Sequence, residues 1–481
     1  MPKKPPEKIP DSLAEKELLV LVAEQAKQIE LLMAEVAELK RRLNMNSSNS
    51  GKPPSSDGYN KSDKNRSLRG KSDKKRWWQK WHKGATLRSY ETPNTTEVLE
   101  IKTCSGCGWN LTNTPMINIQ KRQVVDIPEP AFFVHEYQWW EKQCPCCKIT
   151  TKSVFPNGIT APIQYGSNIK AHSSYLYNYG IIGYERIAEF WNEIYGLEIS
   201  QTSLMKFNKE WYGNLDVVTS CIKQALGFCH VLHNDETGVH VGTDLNWIHV
   251  ASTKFLTTYL VHKKRWGEAI EAMGILKGFI GKLVHDHWKP YLSFEDCMHV
   301  LCNAHHLREL IAVTQNEKVL WAELMKTFLL SSKRRKDEAI SRWEDSLEER
   351  VLQEIHTEYR EIIQKGLLEH REPVRQSGQR GKLKKSKGHN LLMRFQNYEG
   401  ATLEFLHDFE VPFDNNLAER DIRMVKIRTK ISGCFRSFEW AEWFCRIRGY
   451  ISTMRKQGFP IYQAMKSMFE GEILSPNFEC V

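Results

Sequence analysis

The sequence lacks any run of 18 or more apolar residues, which excludes a transmembrane helix. Its first residues, MPKKPPEKIP, lack the apolar stretch of a secretory signal, so the cytoplasm is the expected compartment. It has no internal repeat and no acidic surplus. It does have twelve cysteines in 481 residues, several as C-x2-C pairs. In a reducing compartment that pattern points to metal ligation rather than a disulfide framework. With 41% hydrophobic and 26% charged residues, the chain can bury a sizeable core. It also holds 15 tryptophans, high for a scarce residue type.

The net charge of +10 is concentrated. Residues 61–88 carry eleven Lys/Arg against two Asp, including Lys74, Lys75 and Arg76. Residues 371–388 carry seven basic residues against one Glu. The remainder is slightly acidic. Basic blocks of this kind suit a polyanion, most simply nucleic acid; a solvated tail has the same composition.

Residues 18–43 show a heptad pattern. Val22, Ile29 and Val36 fall at a, and Leu18, Leu32 and Leu39 at d, with Gln25 also at d. That choice favours a parallel two-stranded coil, hence a homodimer or higher oligomer. A helix docked on its own chain would read similarly. Ser, Asn, Gly, Pro and Lys then dominate residues 44–76, a flexible linker. Residues 98–155 read as short strands around cysteine knuckles, and 163–212 as helical. Tyr184–Tyr195 stops before Gly196, and Ser200 sits as the N-cap of the next helix, compatible with a helix-turn-helix. Residues 228–286 follow the order strand, strand, strand, helix, strand. Residues 301–370 are mostly helical, with Trp321, Phe328, Leu329, Trp343 and Tyr359 as core candidates. Late helices are expected over 415–431 and 440–455.

Cys104-x2-Cys107 and Cys144-x2-Cys147 fit a tetrahedral four-cysteine Zn2+ site, each pair offering two thiolates. The extra Cys146 leaves the ligand choice in the second pair open, and free cysteines are the alternative. Asp235 and Asp286 end strands, and Glu419 lies in a late helix. Carboxylates so placed could hold two Mg2+ ions for phosphodiester chemistry, although aspartate often ends strands without function. Glu419, Arg423, Lys426 and Lys430 share one helical face, which suits a metal ligand beside phosphate contacts. Cys302, His305 and His306 could bind metal; the favoured reading has them lining the edge of a helix packed on the sheet.

These segments together resemble the insertion-sequence 66 family of transposases. The matching stretches include NSSNSGKPPSSD, RQVVDIP, APIQYG, GYERIAE, LHNDETG, WIHVAST, VHDHWKPY, LCNAHHLREL and VPFDNNLAERDIRMVKIRTKISGCFRS. The resemblance implies a multidomain α+β protein. A leucine-zipper-like coiled-coil helix (11–45) precedes a basic flexible linker (46–95) and a small β zinc-binding module (96–155). A helical DNA-binding segment (156–225) leads into a ribonuclease-H-like α/β DDE catalytic domain (226–436), with a helical insertion at about 305–400. A C-terminal helical segment (437–481) follows. The family's catalytic acids fall on Asp235, Asp286 and Glu419, separated by 51 and 133 residues. The resemblance also implies Mg2+ (or Mn2+) at these acids and Zn2+ at the cysteines. Double-stranded DNA, both element ends and target, is the implied partner. Its contacts are expected from Arg420, Arg423, Lys426, Lys430, Lys74, Lys75 and Arg76. Nucleoid association and accessory proteins of the same mobile element are implied as well. A cleavage-inactive DNA-binding regulator, or a zinc-stabilised assembly protein, would not require the intact triad.

The sequence departs from the family at six positions. Trp77, Trp78, Trp81, Trp109, Trp266 and Trp440 stand where glycine is expected. Glycine serves where the backbone needs positive φ or close approach, which tryptophan supplies only with strain. One reading is a source that decodes UGA as glycine; the other is a base-stacking surface near the basic linker. UGG codons at these positions would rule out the first.

Overall fold

The computed structural model describes residues 11–43, 45, 49, 87, 89–370 and 385–478. The linker residues Lys74, Lys75 and Arg76, and Trp77, Trp78 and Trp81, lie outside these, as does most of the basic loop 371–388. The chain divides into two compact units. One comprises Met1–Asn65, Ala161–Ala188 and Ile199–Val481; the other comprises Arg66–Thr160 and Glu189–Glu198.

Helix α1 (Asp11–Leu43) is continuous over 33 residues. Leu18, Val22, Ile29, Leu32, Val36, Leu39 and Leu43 are all exposed along it. Arg41 and Arg42 pair with Glu38 near its end, where basic residues also suit the helix dipole.

In the cysteine unit, β1 (Glu141–Gln143) and β2 (Thr150–Lys152) form an antiparallel hairpin around the second C-x2-C. A single bridge, Thr103 to Asn110, closes the first. Short strands around cysteine knuckles were expected here.

Helix α2 (Ser167–Ser174) runs into a π turn, Tyr175–Tyr179. Next come α3 (Tyr184–Tyr195), α4 (Gln201–Asn214) and α5 (Asp216–Leu226). The hydroxyl of Ser200 accepts from the Ser203 N–H, the expected cap of α4.

The sheet begins with β3 (Val231–Val241), β4 (Asp244–Ser252) and β5 (Thr257–His262), an antiparallel meander. Gly242, at φ 58°, opens the two-residue turn between β3 and β4. Helix α6 (Gly267–Met273) crosses over to β6 (Lys282–His285), which runs parallel to β3. A fifth strand, β7 (Met298–Leu301), pairs parallel to β6. The order is β5-β4-β3-β6-β7. Sequence reading missed β7, because four residues carrying a histidine give no readable alternation.

The helices α7 (Asn303–Glu317), α8 (Leu320–Ser341), α9 (Glu349–Glu369), α10 (Lys387–Asn397) and α11 (Glu399–His407) follow in a helical layer. It packs around Trp321, Phe328, Leu329, Tyr359 and Phe395. Trp343 does not join this core: it is 94% exposed, at φ 65° in the turn after α8. The chain returns through α12 (Asn416–Ser432), α13 (Phe438–Lys456) and α14 (Ile461–Phe469).

Side chains alternate across the strands. Val239, Ile248 and Val250 pack with Ala418, Ile422 and Val425 of α12 and with Phe444 of α13. Leu232, Ala251 and Leu283 pack on the other face, with Ile222 and Leu226 of α5 and Ile270 of α6. Each fully buried aliphatic side chain contributes about 2 kcal/mol relative to exposure. That packing fixes where α12 starts relative to β3.

Of the tryptophans standing for expected glycines, Trp109, Trp266 and Trp440 are described, and none has a positive φ. The backbone therefore accepts tryptophan at these three positions.

Candidate active site

Three elements deliver one carboxylate each. Asp235 does not end its strand as expected: β3 runs on to Val241, and Asp235 lies in its middle, opposite Val250 of β4. Asp286 directly follows β6, whose pairing with β3 runs through His233 and Val284. Glu419 lies in the first turn of α12. The three converge. Burial pushes the Asp235 carboxyl up to about 7, and the negative charges of Glu236, Asp286 and Glu419 add to the effect.

Two devices hold this arrangement. The first is Asn415, the N-cap residue of α12, which is buried. Its Nδ2 donates to the Asn234 carbonyl at 2.7 Å, and its Oδ1 meets His233 Nδ1 at 2.9 Å. Burial lowers His233 to about 4, so it stays neutral and its Nδ1–H donates. The Asn415 backbone N–H donates to Cys302 Sγ at 3.1 Å. The start of α12 is thus tied to the residues flanking Asp235 and to the β7–α7 junction.

The second device is Glu236, 2% exposed. It accepts from Arg265 at 2.7 Å and from the Tyr291 hydroxyl at 2.9 Å. Arg265 lies between the rings of Trp247 and Trp288, at 4.7 and 4.5 Å. Trp247 and Trp288 are the tryptophans that match the family as tryptophans, and here they clamp a cation. Sequence reading missed Asn415 and Glu236. Both stand inside motifs already singled out, but their roles depend on partners 181 and 55 residues away.

Glu419 Oε1 is buried with no hydrogen-bond partner. His305 Nδ1 and Arg308 approach it at 3.9 and 3.8 Å, too far for hydrogen bonds. Cys302, His305 and Glu419 are the one group of three or more metal-ligating side chains drawn together among the described residues. The orphaned Glu419 oxygen, free of hydrogen bonds though near the Arg308 charge, could take a divalent cation.

Arg420, Arg423, Lys426 and Lys430 are all exposed along α12, with no ion pair among the described residues.

In the cysteine unit the two knuckles share one hydrogen-bond pattern. The N–H of Cys104 donates to the Trp109 carbonyl, and Gly108 N–H to the Cys104 carbonyl. Likewise Cys144 donates to Ile149, and Lys148 to Cys144. Gly108 and Lys148 both take positive φ, at 76° and 60°. Backbone N–H groups aimed at Cys104 and Cys144 lower both thiols, as does hydrogen bonding from Cys107 and Cys147 respectively. Cys147, rather than Cys146, therefore meets Cys144. Each knuckle fits a thiophilic ion. The structure does not gather the two pairs into a single cluster.

Residues 162–442, more than half of the chain, match the family described as Transposase IS66 family. The chain belongs to the IS66 family of transposases. Residues 3–88 of the transposase also match a family of unknown function, DUF6444. No curated protein matches it. The IS66 match spans all three carboxylates and the basic face of α12, and assigns the chain to DNA transposition.

Proposed function

We propose that this transposase cleaves and joins DNA strands at Asp235, Asp286 and Glu419, by a DDE two-metal mechanism on a ribonuclease-H-like sheet. What supports the reading is the position of all three acids within the IS66 match, with the half-buried Asp235 carboxyl pushed up to about 7 by burial and by the nearby charges of Glu236, Asp286 and Glu419. The sheet order, with two antiparallel and two parallel pairings around β3, supports the fold assignment.

Asp235, Asp286 and Glu419 would hold Mg2+ (or Mn2+). Bound there, the ions supply activation of the attacking oxygen and neutralisation of the scissile phosphate. The protein's own contribution is positioning. Asp235 would have to be ionised to hold a cation. Asn415 fixes Glu419 in register with β3, while Arg265 and Tyr291 turn Glu236 away. The first reaction cuts a strand at the element's end and exposes a 3′-hydroxyl. In the second, that hydroxyl attacks a target phosphodiester in line.

Arg420, Arg423, Lys426 and Lys430, together with Lys74, Lys75 and Arg76 of the linker, would contact backbone phosphates. Zn2+ would be held by Cys104, Cys107, Cys144 and Cys147, and the exposed stripe of α1 would pair two copies. Asp286→Asn tests the core of the reading. Strand transfer in a purified system should fall about 1,000-fold or more while element-end binding persists. Retained transfer would sink the assignment.

A further inference from the structure

Nine residues beyond Glu419, roughly 14 Å along α12, lies Arg428, only 8% exposed. Its Nη2 donates to the Tyr177 hydroxyl at 2.6 Å, and the guanidinium lies 4.4 Å from the Tyr177 ring centre. Its Nε and Nη1 are buried and have no partner. A buried cation with two unused donors is costly unless an anion completes it.

Arg428 lines a cavity of about 510 Å³, within the range of small-ligand sites. The first residues of α4, Gln201 and Thr202, also line it, so a helix N-terminus adds its favour for negative charge. Two guanidinium groups, Arg428 and the exposed Arg436, face it against one carboxylate, Glu185. Four aromatic residues, Tyr177, Tyr184, Phe435 and Trp440, also line it. Tyr177 and Tyr184 stack with centroids 4.1 Å apart and planes 4° from parallel. Trp440 meets Tyr184 edge-on at 6.0 Å. The buried chain Asn178–Asn208–Tyr184 holds Tyr184 in place through two hydrogen bonds of 2.6 Å.

Guanidinium groups and a helix N-terminus beside flat rings match a nucleobase with its phosphate. We propose that this pocket takes one nucleotide swung out of the DNA duplex, its phosphate on Arg428 and Arg436 and its base against the Tyr184 and Trp440 rings. The proposal rests on the transposase reading, which makes DNA the source of the nucleotide. Extrusion costs least where the base is already unpaired.

The test uses the full-length protein and two duplexes, one fully matched and one with a single unpaired nucleotide. The unpaired duplex should bind roughly fivefold tighter or better. Arg436→Ala and Arg428→Gln, the latter checked for folding by circular dichroism, should abolish that preference while binding the matched duplex as before. A 5-iodouracil at the unpaired position should crosslink to the peptide carrying Tyr184 or Trp440. Equal affinity for the two duplexes, or a preference that survives both variants, overturns the pocket and leaves the transposase reading standing. Thermal stabilisation by a free deoxynucleoside monophosphate, lost in Arg428→Gln but without duplex preference, overturns the strand as source. Failure to bind either duplex overturns the transposase reading itself.

Discussion

The sheet unit is held by packing: strands, α12 and α13 interlock through fully buried side chains such as Val250, Ile422 and Tyr450. The cysteine unit has nothing comparable. No described residue from 89 to 160 is buried, and Ile101, Val124, Ile127, Phe133 and Trp140 are all exposed. Cys104 and Cys144 are among its few half-buried positions. The sheet unit carries its geometry in its own core. The cysteine unit has one short hairpin and local turns, and on the proposed reading a bound ion supplies its order. A domain too small to bury a core commonly relies on such a staple.

The sharpest way to break this contrast is chelation. Stripping metal with a strong thiophilic chelator should unfold the cysteine unit, seen as rapid proteolysis within residues 89–160. The sheet unit should keep its melting transition. Equal protection of residues 89–160 with and without chelator would show that the unit is ordered by something else.

Asn415→Ala comes next, and it probes the sheet unit's precision. It leaves the Asn234 carbonyl and His233 unpaired, costing about 2 kcal/mol of stability by denaturant titration. Strand transfer should fall about 100-fold, because α12 loses its register against β3. A drop in stability with normal transfer would make Asn415 purely structural.

Acid should weaken the sheet unit through its buried histidines. Burial lowers His249 to about 4 and holds His306 well below its usual range. Both are neutral when folded, so their contribution is complete above about pH 6.5 and is lost as pH falls from 6.5 towards 4. His249 alone accounts for about 3 kcal/mol over that window. Asp235 acts in the opposite sense, since protonation relieves its burial. The measurement is therefore the stability difference between wild type and His249→Asn at pH 7 and pH 4.5, which should shrink in acid.

The smallest effect belongs to the basic face. Lys426→Ala should leave stability unchanged and lower the salt dependence of DNA binding by about one phosphate contact. An unaltered slope would remove α12 from the DNA interface.

Much of this architecture was readable in the sequence. The cap at Ser200, the three-strand meander, the crossover helix and the late helices follow from periodicity and breakers, which are local signals. The acids stood out because each sits within a distinctive motif, although Asp235 was expected at a strand end and lies in mid-strand. What escaped was non-local. β7 is short and gains its partner only through β6. Trp343 looked like core by residue type, but its turn points it into solvent. Glu236 resembled an ordinary neighbour of Asp235 until Arg265 and Tyr291 closed on it. Cys147 could be told from Cys146 only once the knuckle's backbone was laid out.

The helical layer has a temporal consequence. Asp286 and Glu419 are 133 residues apart in the chain. At ordinary translation speeds the glutamate leaves the ribosome roughly ten seconds or more after the second aspartate. A nascent or prematurely ended chain therefore carries both aspartates without α12. On the proposed chemistry, such a fragment could not cut the DNA that encodes it, and the enzyme is armed only once α12 has been made.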